Sequence, residues 1–401
     1  MKLKCKDVIY DLSKLTEEAR TKQFAIWHQM NKKEKLEIFC CCNEMANIYP
    51  PMHVRYLSQT DKYIIANHSL KQEDDRELHD SSCPYNITYR KTIKNIGINY
   101  DEEKDMFSVN LSTQRDRDTS ISESGTTSSG YRTGSGAKRN LPLNEPVNRL
   151  YYLFLTMLEY RRVEVYHPGG SRNLKGRIWN AAEHVQVNRK LLKDMLYIAG
   201  TDERKINKKI QLVVGWGNKG THEPYPDKER SHLMRIPLLA LDKTDHLSLE
   251  VTVSKAVYDK GILFDHLDVE TGYWLIWKEA KSPGDWPKEK EIVFVPADEK
   301  TGIPVESGLE LKMLAHLVQK QKSFKKPLTQ NVIELDLDLR PDMVVYGEND
   351  KIAIIEVAGF EEDAYREKLE SKRKKYLEKG YQYLQWEGKE SLEDWNELNN
   401  L

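Results

Sequence analysis

The sequence predicts a multidomain protein of the α+β or α/β class. Segments with the apolar spacing of helices alternate with short β-rich runs along most of the chain. At 401 residues, the chain is long enough for two or three domains. A stretch rich in Ser, Thr and Gly interrupts both patterns. We therefore expect an N-terminal module (1–100), a flexible linker (101–145), a middle α+β domain (146–300) and a C-terminal domain (301–401).

The overall charge and the cysteine content restrict the class of protein. The formal net charge is −1, so any contact with nucleic acid must come from local basic patches rather than from bulk charge. No apolar run approaches the length of a membrane span, and the first residues lack the apolar core of a secretion signal. Five cysteines, an odd number, argue against a disulfide framework. We expect a cytoplasmic protein without a membrane partner.

The N-terminal module combines helical periodicity over residues 7–47 with a cluster of cysteines. "CCC" supplies a Cys-x-Cys pair, and "LHDSSC" supplies a histidine four residues before a cysteine. Together they offer four ligands of the types that Zn²⁺ prefers: Cys40, Cys42, His79 and Cys83. A closed site of this kind would be structural and would stabilise a module with a modest core. The alternatives are buried thiols with a surface histidine, or Cys41 or His68 in place of a named ligand.

The linker and the middle domain offer no recognisable chemistry. "TSISESGTTSSGYRTGSG" has almost no apolar residues and cannot repay its ordering entropy, which indicates a flexible linker. After it, the spacing predicts an apolar helix over 147–163 and two further helices near 176–186 and 188–200. Four β-rich runs follow, at 209–217, 247–254, 272–280 and 291–297. The role of this domain is not indicated by its sequence.

Two acids near the end of the chain lie on a predicted hairpin. In "RPDMVVYGENDKIAIIEVAG", the β-rich runs flank "GEND", which has the residues of a hairpin turn. A turn centred near Glu348 and Asn349 places Asp342 almost opposite Glu356, on one face of the hairpin. Two carboxylates this close repel each other unless a cation lies between them, and oxygen ligands suit Mg²⁺ or Mn²⁺. The alternative is an exposed hairpin edge with two unrelated acids, which the apolar flanks disfavour.

The helix after the hairpin carries the candidate lysines. Its predicted apolar stripe passes through Tyr365, Leu369 and Tyr376. Lys372 falls on that stripe, so its ammonium is expected to face the sheet near the two acids. The alternative is that Lys372 packs its stem and extends its ammonium to water. Lys368, one turn earlier, is the second candidate.

A third acid, Glu310, begins the helix before the hairpin. Ser307 is a suitable N-cap for this helix, and Glu310 stands at the third helical position, as in a capping box. A structural role therefore explains Glu310 completely, and we give it equal weight with a metal-binding role.

The order helix, strand, "RPD" strand, "IEV" strand, lysine-bearing helix, strand resembles the core of the PD-(D/E)XK nuclease superfamily. The resemblance covers about the last hundred residues and implies a restriction-endonuclease-like αβββαβ core. It further implies that Asp342 and Glu356 are metal ligands, that Glu310 is the helix acid, and that a metal-activated water attacks phosphorus while a lysine stabilises the developing charge. The chain departs from the family pattern at Ala358, where the family has its lysine. Some relatives carry that lysine on the helix.

A second resemblance extends over most of the chain. The chain is similar to a family of proteins encoded on plasmids and integrative conjugative elements. The shared segments are Cys-x-Cys, "LH-x3-C", "KPL", "RPD" and "IEV-x-G". This resemblance implies a mobile-DNA setting and brings no activity with it. We therefore expect a Mg²⁺- or Mn²⁺-dependent endonuclease acting on DNA, with RNA left open as a substrate and a homodimer as one arrangement. The alternative is a catalytically inactive nuclease-fold protein that binds nucleic acid or serves as a scaffold.

Overall fold

The computed structural model shows a mixed α+β chain in which the described strands form four sheets. Six α-helices lie within the described residues, and none of them is long and apolar enough to cross a membrane. The structure describes residues 2–6, 8–34, 36–44, 47–57, 62–67, 79, 83, 85, 97–101, 104–111, 145–202, 206–219, 223–224, 232–263, 269–282, 284–329, 340–347, 352–359, 363–378, 380–393 and 395.

The described N-terminal strands form a five-stranded antiparallel sheet, in the order β2-β1-β3-β4-β5. One helix, α1, packs on this sheet through Trp27, which is 2% exposed. Thr16 caps α1 by accepting a hydrogen bond from the Ala19 N–H. The bounds are β1 (Lys2–Cys5), β2 (Val8–Asp11), α1 (Glu17–Lys33), β3 (Ile38–Cys40), β4 (Pro51–Leu57) and β5 (Lys62–Asn67).

The prediction that this module is helical over residues 7–47 is therefore wrong outside α1. The segments on either side of α1 are β2 and β3, and the non-adjacent strands β1 and β3 pair with each other. Strands of three or four residues are too short to show a period in the sequence. Pairing partners more than thirty residues apart then decide the structure.

A second sheet, in the order β10-β9-β7-β6, takes one of its strands from within the predicted linker. Its members are β6 (Ile98–Asp101), β7 (Met106–Val109), β9 (Val185–Val187) and β10 (Lys190–Leu191). Phe107 and Val109 are buried, so this part of the 101–145 segment contributes to the core and is not a linker. Residues 112–144, which contain the Ser/Thr/Gly-rich stretch, lie outside the described residues.

The middle region is built around a twisted sheet of seven described strands. The four strands predicted from the sequence coincide with its members β12, β15, β16 and β17. The elements are α2 (Pro146–Tyr160), α3 (Leu174–Ala182), β11 (Leu196–Ile198), β12 (Leu212–Asn218), β13 (Glu223–Pro224), β14 (Leu233–Ala240), β15 (Lys243–Ser254), α4 (Lys255–Gly261), β16 (Thr271–Glu279) and β17 (Lys288–Pro296).

The helix predicted over residues 188–200 is not an α-helix. The segment contains β10, a short 3-10 turn over Leu192–Met195 and β11. Strand β11 pairs in parallel with β12, and all three of its residues are buried. A strand covered on both faces has a continuous apolar run, which the sequence does not distinguish from a buried helix.

The C-terminal elements follow the predicted order of helix, three strands, helix and strand. They are α5 (Gly308–Gln319), β18 (Ser323–Lys325), β19 (Met343–Tyr346), β20 (Ile352–Val357), α6 (Asp363–Glu378) and β21 (Gln382–Trp386). The sheet runs β21-β20-β19-β18-β8, with β20 and β21 parallel and the other pairs antiparallel. Its edge strand β8 (Val165–Tyr166) comes from the middle region, so the predicted boundary at residue 300 cuts across this sheet.

Helix α2 connects the middle and C-terminal parts. Leu150, Phe154 and Leu158 on this helix belong to one hydrophobic cluster, which contains residues of both the seven-stranded sheet and the C-terminal sheet. Near the end of α2, the Glu159 Oε1 atom accepts hydrogen bonds of 2.8 Å from the N–H groups of Leu328 and Thr329. The middle region therefore supports the loop that follows β18.

Candidate functional site

The two acids predicted on the hairpin lie opposite each other. In the β19–β20 pair, Met343 faces Ile355, and one further step of this antiparallel register places Asp342 opposite Glu356. Asp342 precedes the strand, and its Oδ2 atom accepts a hydrogen bond of 2.7 Å from the Val357 N–H. Glu356 is 2% exposed, so its carboxylate lies within the fold rather than at a hairpin edge.

Helix α6 brings a lysine and a tyrosine to the buried carboxylate of Glu356. The Nζ atom of Lys372 lies 2.9 Å from Oε1 and 2.8 Å from Oε2, and it also donates to the carbonyl of Arg340 at 3.1 Å. The hydroxyl of Tyr376, one turn later, donates to Oε1 at 3.2 Å. The side chain of Lys372 is 13% exposed, so its ammonium faces the acids rather than water. The side chain of Lys368 lies outside the described part of the chain.

Burial sets the protonation of the groups around this pair. Burial and the neighbouring charge of Glu356 raise the pKa of Asp342 to about 6, against the opposing effect of Lys372. Burial and Glu356 also raise the pKa of Tyr376, so its hydroxyl remains a neutral donor. With this pKa, Asp342 is mostly ionised at neutral pH.

Glu310 and Ser307 cap α5, but the Glu310 side chain bonds one residue earlier than in the predicted capping box. The Glu310 N–H donates to the Ser307 hydroxyl at 3.0 Å, and its Oε2 atom accepts from the Glu306 N–H at 2.8 Å. The same Oε2 atom lies 3.0 Å from the Nζ atom of Lys326, and both side chains are almost completely buried. Burial raises the pKa of Glu310, Lys326 lowers it, and the charge of Asp342 raises it further, so the three groups interact.

Sequence reasoning missed the buried charges that surround the acids. Lys326 is 2% exposed, and Arg340 donates to Glu306 Oε2 at 2.6 Å and to the carbonyl of Leu328. Burial alone would lower the pKa of Arg340, but the carboxylate of Glu306 outweighs it and holds the pKa above its usual value. In the sequence, Lys326 and Arg340 stand out only as the first residues of the "KPL" and "RPD" runs. That position does not show whether their charges are buried or at the surface.

The four predicted zinc ligands lie together. Their ligand atoms, from Cys40, Cys42, His79 and Cys83, are all within 4.8 Å of one another. The Sγ atoms of Cys40 and Cys83 are 4.0 Å apart, and the Nδ1 atom of His79 is 3.4 Å from the Sγ atoms of Cys42 and Cys83. Tetrahedral zinc with typical bond lengths separates two sulfur ligands by about 3.8 Å and sulfur from nitrogen by about 3.6 Å. This cluster could hold a metal ion such as zinc.

Cys42 rather than Cys41 belongs to this cluster. Burial raises the pKa of the Cys41 thiol to about 12, which keeps it protonated outside the group. Within the group, hydrogen bonds from Cys42 and Cys83 lower the pKa of Cys40, whereas burial raises the pKa of Cys42 and Cys83. A bound cation would displace the remaining protons. The other alternative, His68, lies outside the described residues.

The loop after the cysteines contacts the C-terminal sheet. Arg162 donates from Nη1 to the carbonyl of Cys41 at 3.3 Å. Ile48 packs against the cluster formed by Val344, Ile354 and Tyr376. The N-terminal module therefore packs, through Ile48, on the face of the C-terminal sheet that carries α6.

Comparisons of the chain with protein-family models, with curated proteins and with solved structures found no match. The site must therefore be interpreted from its own geometry.

Proposed function

We propose that the chain is a divalent-metal-dependent nuclease that hydrolyses DNA phosphodiester bonds at Asp342, Glu356 and Lys372. One observation carries the proposal: two facing carboxylates, one of them 2% exposed, with a lysine ammonium held 2.8 Å from the buried acid. Structural acids are mostly solvated, and buried charges require a partner or a metal. Here both acids and the lysine converge on one position at the end of two buried strands.

Mg²⁺ or Mn²⁺ suits this donor set. Asp342 and Glu356 supply hard oxygen ligands. Burial first, and then the charge of Glu356, raise the pKa of Asp342, and a bound cation would favour its ionised form. When bound, the metal would polarise the phosphate and activate a water. The ammonium of Lys372 would stabilise the charge that develops on the phosphoryl oxygens. Tyr376 orients Glu356 through its hydroxyl.

The architecture around the site supports a lysine supplied from the helix. Ala358 is 7% exposed, and its N–H donates to the carbonyl of Trp386 at 2.8 Å, so this position is buried beside β21. A lysine chain starting there would have to replace packed atoms. Lys372 reaches the Glu356 carboxylate from α6. The order helix, three antiparallel strands, helix and parallel strand also agrees with the nuclease core that the sequence resembles.

DNA is the proposed substrate because the wider resemblance is to proteins of mobile genetic elements. The test uses supercoiled plasmid and circular single-stranded DNA, with Mg²⁺, with Mn²⁺ and with EDTA. Asp342→Asn and Lys372→Met should each lose about two to three orders of magnitude in cleavage rate, since each removes a group that stabilises the transition state. Lys312→Met, at an exposed position on α5, is the matched control and should retain full activity.

The alternative function, nucleic-acid binding without cleavage, predicts a different outcome. The wild-type chain would then bind DNA and cleave none of the substrates with any metal. Cleavage that survives Asp342→Asn would also contradict the proposal. An RNA substrate assayed in parallel decides between the two nucleic acids.

A further inference from the structure

We propose that this site binds one divalent cation rather than two, and that the Lys326 ammonium takes the place of a second cation beside Glu310. The inference rests on the proposed function, because it concerns the metal content of the same site. In two-metal sites, several carboxylates hold two ions that lie about 3.5–4 Å from each other. Here the third carboxylate is already neutralised: Glu310 Oε2 lies 3.0 Å from Lys326 Nζ and accepts the Glu306 N–H at 2.8 Å.

Lys326 is fixed in this position. Its side chain is 2% exposed, and its own N–H donates to the carbonyl of Glu164 at 2.9 Å. Proline follows it, and the next two N–H groups, of Leu328 and Thr329, donate to Glu159. The backbone is therefore held on both sides of the lysine, and its side chain is buried beside Glu310.

The charges of the site fit one cation. Asp342, Glu356 and Glu310 contribute three carboxylates, and Lys372 and Lys326 contribute two ammonium groups, which leaves one uncompensated negative charge. One divalent cation converts this into a single positive charge, which matches a phosphodiester. A second would leave three positive charges in a largely buried space, which is unfavourable at low dielectric.

Lys326 is therefore a positioning residue: its ammonium holds the Glu310 carboxylate at 3.0 Å, and we assign it no contact with the proposed metal.

The test is Mn²⁺ binding to the zinc-loaded full-length chain, measured by electron paramagnetic resonance of free Mn²⁺. Wild type should bind one Mn²⁺, Asp342→Asn none above background, and Glu310→Gln still one. Wild type binding two Mn²⁺, with Glu310→Gln reduced to one, would overturn the inference. This comparison does not depend on how the lysine variants fold.

Lys326→Met tests the lysine itself. With Glu310 released, this variant should bind a second Mn²⁺, whereas Lys325→Met, at the buried neighbouring lysine whose charge acts on Glu159, should still bind one. A folded Lys326→Met chain that still binds one Mn²⁺ would refute the role of Lys326. One bound Mn²⁺ without DNA cleavage would contradict the nuclease proposal alone, and two bound Mn²⁺ with cleavage would contradict only this inference.

Discussion

Replacing Lys372 with methionine removes the closest positive charge from Glu356. Methionine keeps most of the stem volume, so the variant mainly changes charge. The carboxylate is 2% exposed and the lysine side chain 13%. Among the described residues, the hydroxyl of Tyr376 is the one side-chain donor to Glu356 that remains after the change. Breaking a buried ion pair by removing one partner costs about 3–5 kcal/mol, because the other charge remains buried and uncompensated. We expect a loss of this size in the metal-free protein.

Hydrogen exchange of the strand that carries Glu356 measures this loss locally. A loss of about 1.4 kcal/mol lowers the protection factor of an amide tenfold. In EDTA, the protection of residues 352–357 should therefore fall by about two to three and a half orders of magnitude. Adding Mg²⁺ at a hundredfold excess over its dissociation constant should restore about 2.7 kcal/mol, since the metal replaces the missing charge. The double variant Lys372→Met/Glu356→Gln should recover part of the loss without metal, because it leaves no buried charge.

The exposed-lysine variant Lys312→Met is the control for this experiment. A surface substitution of this kind changes stability by about 0.5 kcal/mol or less. If Lys372→Met loses no more protection than this control, the ion pair does not stabilise the site, and the inferred placement of the lysine is refuted.

Three further predictions concern the acid, the tyrosine and the cysteines. Because the pKa of Asp342 is about 6 in the folded state and lower in the unfolded chain, the folded state binds its proton more tightly. The metal-free protein should therefore lose stability as pH rises from about 4 to about 6, and urea denaturation of Asp342→Asn should show a smaller loss over that range. Tyr376→Phe removes a hydrogen bond to a buried charge and should cost about 1–3 kcal/mol in the same assay while cleavage persists. Elemental analysis should find about one zinc per chain, lost in Cys42→Ser and retained in Cys5→Ser, a buried cysteine outside the cluster; zinc retained in Cys42→Ser would contradict the ligand set.

The C-terminal hairpin could be predicted because its information is local. Two apolar runs flank a turn of Gly, Asn and Asp, and the turn length determines which residues face each other. The position of Lys372 follows from helical spacing on a single element. The cysteine cluster combines two segments, but ligand type and spacing within each segment identified it without knowledge of the fold.

The buried partners of the acids could not be predicted, since they come from distant segments. Arg340 and Glu306 are 34 residues apart, and Lys326 and Glu310 come from different elements. The sequence alone does not show whether a lysine or arginine is solvated or buried, and most are solvated. The prediction for the short N-terminal strands was wrong for a related reason. Pairing across more than thirty residues forms a sheet where the apolar period suggested a helix.

The strands and the helix supply different groups to the proposed site, which explains how it can form without a lysine at position 358. The hairpin supplies the acids, and Lys372 and Tyr376, four residues apart on α6, supply two donors to Glu356 from one helix face. Packing of Ile48 against Tyr376 and its neighbours holds that face from the N-terminal module. The geometry thus makes the N-terminal module a support for the proposed active site, rather than an independent unit.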